Sequence, residues 1–253
     1  MRRFTAADGI EIAYHEWGTE HGGPPVILHH GFVADSHLNW VAPGVVDALV
    51  TARRRVLALD ARGHGRSDKP HDPAVYGEAA MARDLIQLAD RIEARSYDLV
   101  GYSMGAVVAL IAATRDRRVR RLVVGGVGAG IVELGGVDTR ALPNDALVAA
   151  LEADDPSSIA DQAASQFRSF ADAVGGDRRA LAAQARVVHA SPIALDQIVA
   201  PTRVLAGERD PLAARPEVLV QALPDADLRR LPGDHLGAVG DPGFASAIVA
   251  FLT

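Results

Sequence analysis

A serine with the surroundings of a nucleophile lies in the segment Gly101-Tyr102-Ser103-Met104-Gly105. The strand-like pair Leu99-Val100 precedes this segment and a helical pattern follows it, so the serine falls at a strand-to-helix turn. Such a turn needs small flanking residues, because a Cβ atom there would collide with the backbone. The turn would hold the hydroxyl clear of the sheet, at the positive end of the next helix. We therefore predict that Ser103 is a nucleophile.

A serine hydroxyl becomes a useful nucleophile only when a neighbouring base takes its proton. Among nine histidines, only His235 lies in a loop after the last strand-like run, within residues 232–235. That position is at the carboxyl end of the sheet, where Ser103 also lies and where such sheets bind ligands. We predict that His235 is the general base. The histidines that we assign to surface or packing roles are His15, His21 and His71.

The base needs a carboxylate that fixes its tautomer and stabilises the imidazolium. Asp210 directly follows a strand-like run at the same edge of the sheet, and we predict that it is this acid. Asp234 is adjacent to His235 in the chain, so its side chain is expected to point away. Glu208 lies nearer the strand than Asp210 and remains the alternative.

The elements that must position these residues can be predicted from hydrophobic patterning. Short runs of Val, Ile and Leu alternate with longer amphipathic segments, which is typical of a largely parallel sheet covered by helices. Residues 10–17 alternate like a strand after an Asp8-Gly9 turn, which predicts an opening antiparallel hairpin. Apolar residues at spacings of three or four predict helices at 78–93, 104–115 and 241–252.

One long interval departs from this alternation. Residues 131–190 contain no strand-like run, only Ala-rich helical stretches that are interrupted by proline and glycine. We predict that this interval forms a helical cap over the sheet rather than a second domain. The core domain is then built from residues 1–130 and 191–253.

Composition limits the partners and the location of the protein. The 253 residues carry a formal net charge of -6, with a pI of about 5.8, so nothing in the charge predicts binding to nucleic acid. The chain has no cysteine, which excludes disulfides, thiolate catalysis and sulfur-ligated zinc. No stretch approaches the ~18 apolar residues of a membrane helix, and the first residues lack the apolar run of a signal peptide. We therefore expect a cytoplasmic protein with no nucleic-acid or membrane partner.

The order Ser103, Asp210, His235 along the chain resembles that of the α/β-hydrolase superfamily. The resemblance extends over nearly the whole chain, and within the superfamily the chain is most similar to the esterase and cofactor-free haloperoxidase group. It implies the α/β-hydrolase fold, with a mostly parallel central sheet of about eight strands, flanked by helices, and a small helical cap.

Two loops carry the same resemblance. His30-Gly31-Phe32 stands where this family places its oxyanion loop, and residues 60–67 resemble the loop after the family's fourth strand. The resemblance implies that the backbone N–H groups of Phe32 and Met104 form an oxyanion hole, which would receive the negative oxygen of a tetrahedral intermediate.

Single positions distinguish the chain from several subgroups that it resembles. Dehalogenases and epoxide hydrolases of the superfamily have an aspartate at the position of Ser103. Carbon–carbon bond hydrolases commonly have a tryptophan where Leu236 stands, and the menaquinone-pathway synthase has an arginine where Val107 stands. The cofactor-free haloperoxidases share Ser103-Met104 and Gly31-Phe32 with this chain, and they are esterases as well.

The resemblance thus implies a carboxylic ester hydrolase that forms an acyl-enzyme on small to medium-sized esters, with no metal and no organic cofactor. A lactonase, a thioesterase or a perhydrolase would use the same three residues. A non-hydrolytic receptor for small molecules could retain them too. These alternatives remain open.

The substrate site can be predicted only from apolar character. We expect a cleft that takes small to medium acyl groups without charge-specific recognition. The residues predicted to bind substrate are Trp40, Leu236, Phe167 and Phe170, together with Phe32 and Met104.

A group of histidines near the oxyanion loop needs a separate interpretation. His29 and His30, with Asp60 and His64, have no spacing that is typical of a metal site. We expect instead that His30 braces the oxyanion loop and that His64 braces its own turn.

Overall fold

A computed structural model describes all 253 residues and contains one eight-stranded sheet. The strands are β1 (Arg2–Thr5), β2 (Glu11–Trp17), β3 (Val26–His29), β4 (Val56–Leu59), β5 (Tyr97–Tyr102), β6 (Val119–Gly125), β7 (Thr202–Gly207) and β8 (Ala226–Leu231). Their order in the sheet is β1-β2-β4-β3-β5-β6-β7-β8. Strand β2 is antiparallel to both of its neighbours, and every other pair is parallel. The predicted opening hairpin and the mostly parallel sheet of about eight strands are confirmed.

The central strands are apolar on both faces because helices cover both faces of the sheet. Every residue of β3, β4, β5 and β7 is buried, as expected of strands in a doubly covered parallel sheet. Strand β8 lies at an edge of the sheet, and only Leu231 of its six residues is buried.

Ten α-helices surround the sheet. They are α1 (Val45–Thr51), α2 (Glu78–Arg91), α3 (Met104–Arg115), α4 (Ala129–Leu134), α5 (Asn144–Glu152), α6 (Gln162–Ala173), α7 (Arg178–Ala185), α8 (Pro216–Ala222), α9 (Gly237–Gly240) and α10 (Pro242–Leu252). A π-helical turn spans His37–Val41, and 3-10 turns lie at Pro73–Val75, Pro156–Ser158 and Leu195–Gln197. The three helices predicted from spacing therefore exist within two residues of their predicted bounds. None of the helices combines the length and the apolar character that crossing a membrane requires.

Two apolar cores lie on the two faces of the sheet. Helices α2, α3 and α8 pack on one face and contribute to the larger core, whereas α1 and α10 pack on the other. Trp40 belongs to the second core: its side chain is 0% exposed and its ring stacks on Phe244, with the ring centroids 6.3 Å apart. The prediction that Trp40 lines the substrate cleft is therefore wrong, because the turn that carries Trp40 packs the ring against α10.

All of the regular secondary structure between β6 and β7 is helical. Helix α4 packs against α8, whereas α5, α6 and α7 pack on one another around Leu147, Leu151 and Leu181. Val33, in the loop after β3, is part of this cluster, and Phe32 packs against it. These three helices therefore cover the sheet edge next to the loop that follows β3.

Candidate active site

The candidate site lies where the strand order reverses. Strand β3 is the neighbour of both β4 and β5, so the loops after β3 and β5 leave the sheet side by side. Ligand sites of open parallel sheets are found at such a reversal. The loop after β3 carries Phe32, and the turn after β5 carries Ser103. At Gly31 an added Cβ would lie 3.3 Å from the Cβ of Ser103, so the two loops touch.

The turn between β5 and α3 holds Ser103 in a backbone conformation that few residues adopt. Its φ is 55° and its ψ is -117°. A Cβ at Gly101 would lie 2.1 Å from the carbonyl oxygen of Gly105, and a Cβ at Gly105 would lie 2.1 Å from the carbonyl oxygen of His29. Both flanking positions therefore require glycine. The strained backbone of Ser103 is maintained because its N–H donates to the carbonyl of Gly125 at 2.8 Å.

Ser103, His235 and Asp210 form one chain of hydrogen bonds. The distance from Ser103 Oγ to His235 Nε2 is 2.9 Å, and the distance from His235 Nδ1 to an oxygen of Asp210 is 2.8 Å. The other Asp210 oxygen accepts the N–H groups of Leu212 at 2.9 Å and of Ala213 at 3.3 Å. Asp210 accepts a hydrogen bond from the Nδ1–H of His235, so Nε2 is left free to accept the serine proton.

The two rival carboxylates lie outside this chain. Glu208 is exposed and makes no side-chain hydrogen bond to His235. Asp234 is also exposed, and its side chain accepts the N–H of Gly237 at 2.8 Å instead of facing the imidazole. Asp210 is the carboxylate that contacts His235.

Two backbone amides next to Ser103 are available to a ligand. Neither the N–H of Phe32 nor that of Met104 donates to another group of the protein. Met104 begins α3, and the first N–H groups of a helix have no partner within it. The loop that carries Phe32 is held by Asn39, whose side-chain oxygen accepts the N–H of Gly31 at 2.8 Å. Sequence analysis did not identify Asn39, because no local pattern predicts this contact.

Two histidines join the loop after β3 to the loop after β4. His30 Nε2 accepts the N–H of Ala61 at 2.9 Å, and His64 Nε2 accepts the N–H of Val33 at 3.2 Å. Each Nδ1 faces a carbonyl oxygen, that of Gly31 for His30 and that of Arg62 for His64. Both imidazoles are thus neutral and hold the two loops together. His64 contacts the loop after β3 as well as its own turn.

These contacts lead to a prediction on acid stability. Burial lowers the pKa of His64 from 6.5 to about 3. Between these values the unfolded chain binds a proton that the folded protein excludes, so the free energy of unfolding falls by about 1.4 kcal/mol per pH unit as the pH decreases from 6.5 towards 3. The variant His64→Gln keeps an acceptor for Val33 but cannot titrate.

The test compares urea unfolding of both proteins at pH 7 and pH 5. We expect the wild type to lose about 2 kcal/mol more than His64→Gln between these two pH values. All other titrating groups are common to both proteins, so their contributions cancel in this difference. An equal loss in the two proteins would show that His64 does not exclude the proton.

Comparison with known proteins agrees with this architecture. Residues 24–127 match a family model described as alpha/beta hydrolase fold. The structure superimposes on a hydrolase from Pseudomonas aeruginosa PA01 with a TM-score of 0.80 and 29% sequence identity, over 99% of this chain and 97% of that chain. The chain has the α/β-hydrolase fold. The enol-lactonase from Burkholderia xenovorans LB400 shares this fold, with a TM-score of 0.80, 23% identity and 99% of each chain covered.

Curated relatives of this chain match over part of their length. A non-heme chloroperoxidase from Streptomyces lividans is 33% identical over 129 residues, which are 49% of this chain and 44% of that protein. An epoxide hydrolase from Caballeronia sordidicola is 37% identical over 108 residues, which are 43% of this chain and 31% of that protein. The chain thus spans less than half the length of these two relatives. Their names describe different reactions, so the reaction of this chain has to be argued from its own site.

Two further residues support the imidazole of His235. The hydroxyl of Tyr102 donates to the backbone carbonyl of His235 at 2.5 Å, which fixes the loop after β8 over the end of β5. Gly126, directly after β6, lies beneath both rings: a Cβ there would be 2.8 Å from Tyr102 Cζ and 3.0 Å from His235 Cε1. Sequence analysis missed both positions, because each acts through residues that are distant in the chain.

Two spaces border Ser103. The first, which we call the inner cavity, has a volume of about 40 Å³ and is lined by Phe32, Ser103, Met104, Leu147, Phe167 and Gln184, among others. The second, which we call the outer cleft, has a volume of about 210 Å³ and is lined by Leu38, Ser103, Phe167, Phe170, His235 and Leu236, among others. Phe167 borders both spaces, and its ring centroid lies 6.4 Å from that of Phe32.

The predicted substrate residues are distributed between these spaces. Phe32, Met104 and Phe167 line the inner cavity. Phe170 and Leu236 line the outer cleft, and Leu236 lies at its rim because it is 57% exposed. Helix α6 and the loops at the edge of the sheet therefore both contribute to the walls around Ser103.

Proposed function

We propose that this α/β-hydrolase is a serine esterase that cleaves small to medium-sized carboxylic esters. The observation that carries the proposal is the hydrogen-bonded chain Asp210–His235–Ser103, with the serine open to an apolar cavity beside two free backbone N–H groups. A nucleophile, its base, an orienting carboxylate and oxyanion donors are the parts that acyl transfer requires.

The proposed reaction has two steps. Ser103 Oγ attacks the carbonyl carbon of the ester while His235 Nε2 takes the serine proton. The tetrahedral oxyanion receives hydrogen bonds from the N–H groups of Phe32 and Met104. The bond to the leaving oxygen then breaks, and the alcohol departs with the proton from Nε2. Water next gives a proton to Nε2 and adds to the acyl carbon, and the acid leaves as Ser103 recovers its proton.

The position of His235 orients the substrate. Because Nε2 must protonate the leaving oxygen, the alcohol part has to lie on the side of the imidazole, and His235 lines the outer cleft but not the inner cavity. The acyl part then extends into the inner cavity, past Met104. The narrow inner cavity favours a small acyl group, whereas the wider outer cleft accepts a larger alcohol.

The proposal can be tested by labelling and turnover of the wild-type protein. We expect an alkyl fluorophosphonate to modify Ser103 alone, as mapped by peptide mass spectrometry, and p-nitrophenyl esters of the shorter acids to be hydrolysed. Labelling without turnover would keep the nucleophile and direct the search to lactones, thioesters or, with hydrogen peroxide, perhydrolysis. Neither labelling nor turnover would contradict the esterase proposal and would favour the receptor alternative.

Phe167 is expected to limit the length of the acyl chain. Its ring separates the inner cavity from the outer cleft, so Phe167→Ala joins the two spaces. We expect the ratio of kcat/KM for p-nitrophenyl decanoate to that for the acetate to rise about 10-fold, because several buried CH₂ groups gain room. Phe170→Ala, which enlarges the outer cleft alone, should leave this acyl-length ratio within about 2-fold. An unchanged ratio in Phe167→Ala would contradict the assignment of the acyl side.

A further inference from the structure

The inner cavity is not apolar at every point. Besides Ser103, three polar side chains line it, those of Glu78, Asn144 and Gln184. Glu78 begins α2 in the core, and Gln184 lies near the end of α7 in the cap. Each of these two residues is only 2% exposed, although glutamate and glutamine are usually found at the surface. A pair of buried polar residues in the wall of a substrate cavity requires a physical explanation.

Gln184 presents an acceptor with no partner. Its side-chain nitrogen contacts the sulfur of Met104, and its side-chain oxygen is buried without any hydrogen bond. Leaving a buried polar group unsatisfied destabilises the folded protein, so native proteins rarely do so without a reason. A ligand group that donates a hydrogen bond would remove this cost.

Glu78 presents a carboxyl group without a counter-charge. One of its oxygens accepts the backbone N–H of His189 at 2.8 Å, and no basic side chain pairs with it. Burial raises the pKa of Glu78 to about 7, and the backbone N–H groups of Glu78 and His189 only partly oppose this rise. Near neutral pH the group is therefore present in both forms, and it can accept or donate a hydrogen bond.

We propose that the inner cavity selects acyl groups that carry a hydroxyl, and that Gln184 and Glu78 bind this hydroxyl as specificity-determining residues. The inference rests on the esterase proposal, because it concerns the acyl part of the same substrate. The single proton of the hydroxyl is donated to the free oxygen of Gln184, and the hydroxyl oxygen accepts a hydrogen bond from the protonated form of Glu78. When Glu78 is ionised, the hydroxyl donates to one of the two acceptors. A plain alkyl chain would leave the oxygen of Gln184 without a partner.

Charged acyl groups fit the cavity less well than a hydroxyl. A carboxylate would meet the ionised form of Glu78, and no arginine, lysine or histidine lines the cavity to neutralise it. A buried ammonium group would have to lose its own hydration opposite a carboxyl group whose charge is already disfavoured, at a cost of several kcal/mol per ion. Binding a neutral hydrogen-bond donor does not require a charge to be buried on the ligand or on Glu78.

The test compares matched pairs of esters as substrates of the 253-residue chain. The pairs are ethyl 3-hydroxybutanoate with ethyl butanoate, and ethyl 6-hydroxyhexanoate with ethyl hexanoate, each followed by acid release in a pH-stat. We expect the wild-type ratio of kcat/KM, hydroxyacyl to plain acyl, to be about 10-fold or more in at least one pair, since a site built to bind a hydroxyl discriminates against the analogue that lacks it. This ratio is measured on the wild-type protein, so it does not depend on whether a variant folds.

Variants assign the discrimination to the two residues. Gln184→Leu and Glu78→Leu are expected to lower the ratio to about 1, whereas Glu78→Gln, which can still donate and accept, retains most of it. Gln87→Leu is the matched control, because Gln87 lies on the same helix as Glu78 but donates to the backbone of Thr5 on the outside. Its ratio should equal that of the wild type.

Three results would overturn the inference, and they can be told apart. A wild-type ratio near 1 in both pairs, with Ser103 still labelled by the fluorophosphonate, would reject hydroxyacyl selection and keep the esterase. Equal losses for both members of a pair in the Leu variants would show that Gln184 and Glu78 only hold the cap against the core. No hydrolysis of any ester together with no labelling of Ser103 would reject the esterase proposal itself, and the inference with it.

Discussion

In the variant Asp210→Asn, kcat is expected to fall about 10⁴-fold while the fold remains intact. One oxygen of Asp210 accepts the N–H groups of Leu212 and Ala213, and the other faces His235 Nδ1 at 2.8 Å. In the variant the amide oxygen has to face the two backbone donors, because an NH₂ group there would oppose them. The NH₂ group then points at Nδ1 and forces that nitrogen to become an acceptor.

The consequence is an imidazole in the wrong tautomer. Its proton moves to Nε2, which faces Ser103 Oγ at 2.9 Å, so the serine proton has no acceptor. The measurement is kcat for the best p-nitrophenyl ester, with circular dichroism to check the fold. Glu208→Gln makes the same chemical change at an exposed carboxylate nearby and should change kcat by less than about 2-fold. A comparable loss in Glu208→Gln, or near-normal kcat in Asp210→Asn, would assign the orienting role to another group.

Local sequence patterns are enough to predict the edge of the sheet at which the candidate site lies. Ser103, Asp210 and His235 each come soon after a strand-like run, and parallel strands bring their carboxyl ends to one edge. The order of these three residues along the chain can therefore be recognised without knowing how the loops fold. For the same reason, the alternation of apolar runs and amphipathic segments was enough to predict the sheet and the helices that cover it.

The direction in which a single side chain points is harder to predict from the sequence. Trp40 follows the loop after β3 closely, and an aromatic residue at that place is a reasonable candidate for a cleft wall. The π-helical turn His37–Val41 decides the matter, because it packs Trp40 against Phe244 in α10. Nothing in the residues around Trp40 predicts that turn, and its packing partner lies at the far end of the chain.

The polar wall of the inner cavity was beyond sequence analysis for a related reason. A glutamate in the first turn of a helix is favoured by the helix dipole, so Glu78 has an ordinary explanation at the start of α2. Gln184 stands in an Ala-rich helix, where a glutamine usually faces solvent. Only the packing of the cap on the core buries both, and this packing depends on contacts between segments that are distant in the chain.

Gly126 is the position at which a single methyl group is expected to disable the site. Its φ is +68°, and a Cβ there would lie 2.8 Å from Tyr102 Cζ and 3.0 Å from His235 Cε1. Both rings must then shift, and the hydroxyl of Tyr102 holds the carbonyl of His235, so the displacement reaches the imidazole from two sides. A displacement of about 1 Å in a catalytic group costs about 10²-fold in rate. We therefore expect Gly126→Ala to lower kcat about 10²-fold.

Gly175→Ala separates the collision from the backbone strain that accompanies it. Gly175 has a φ of +67°, almost equal to that of Gly126, but no atom lies within 4 Å of an added Cβ. Both variants should lose about 1–2 kcal/mol in urea unfolding, because both place an alanine in the left-handed region, and Gly126→Ala should lose more because its methyl group also collides with two rings. Only Gly126→Ala should also slow turnover and the reaction of Ser103 with fluorophosphonate. If the two variants keep the same kcat, the methyl group at Gly126 is accommodated without moving His235, and the close packing beneath the imidazole has no part in positioning it.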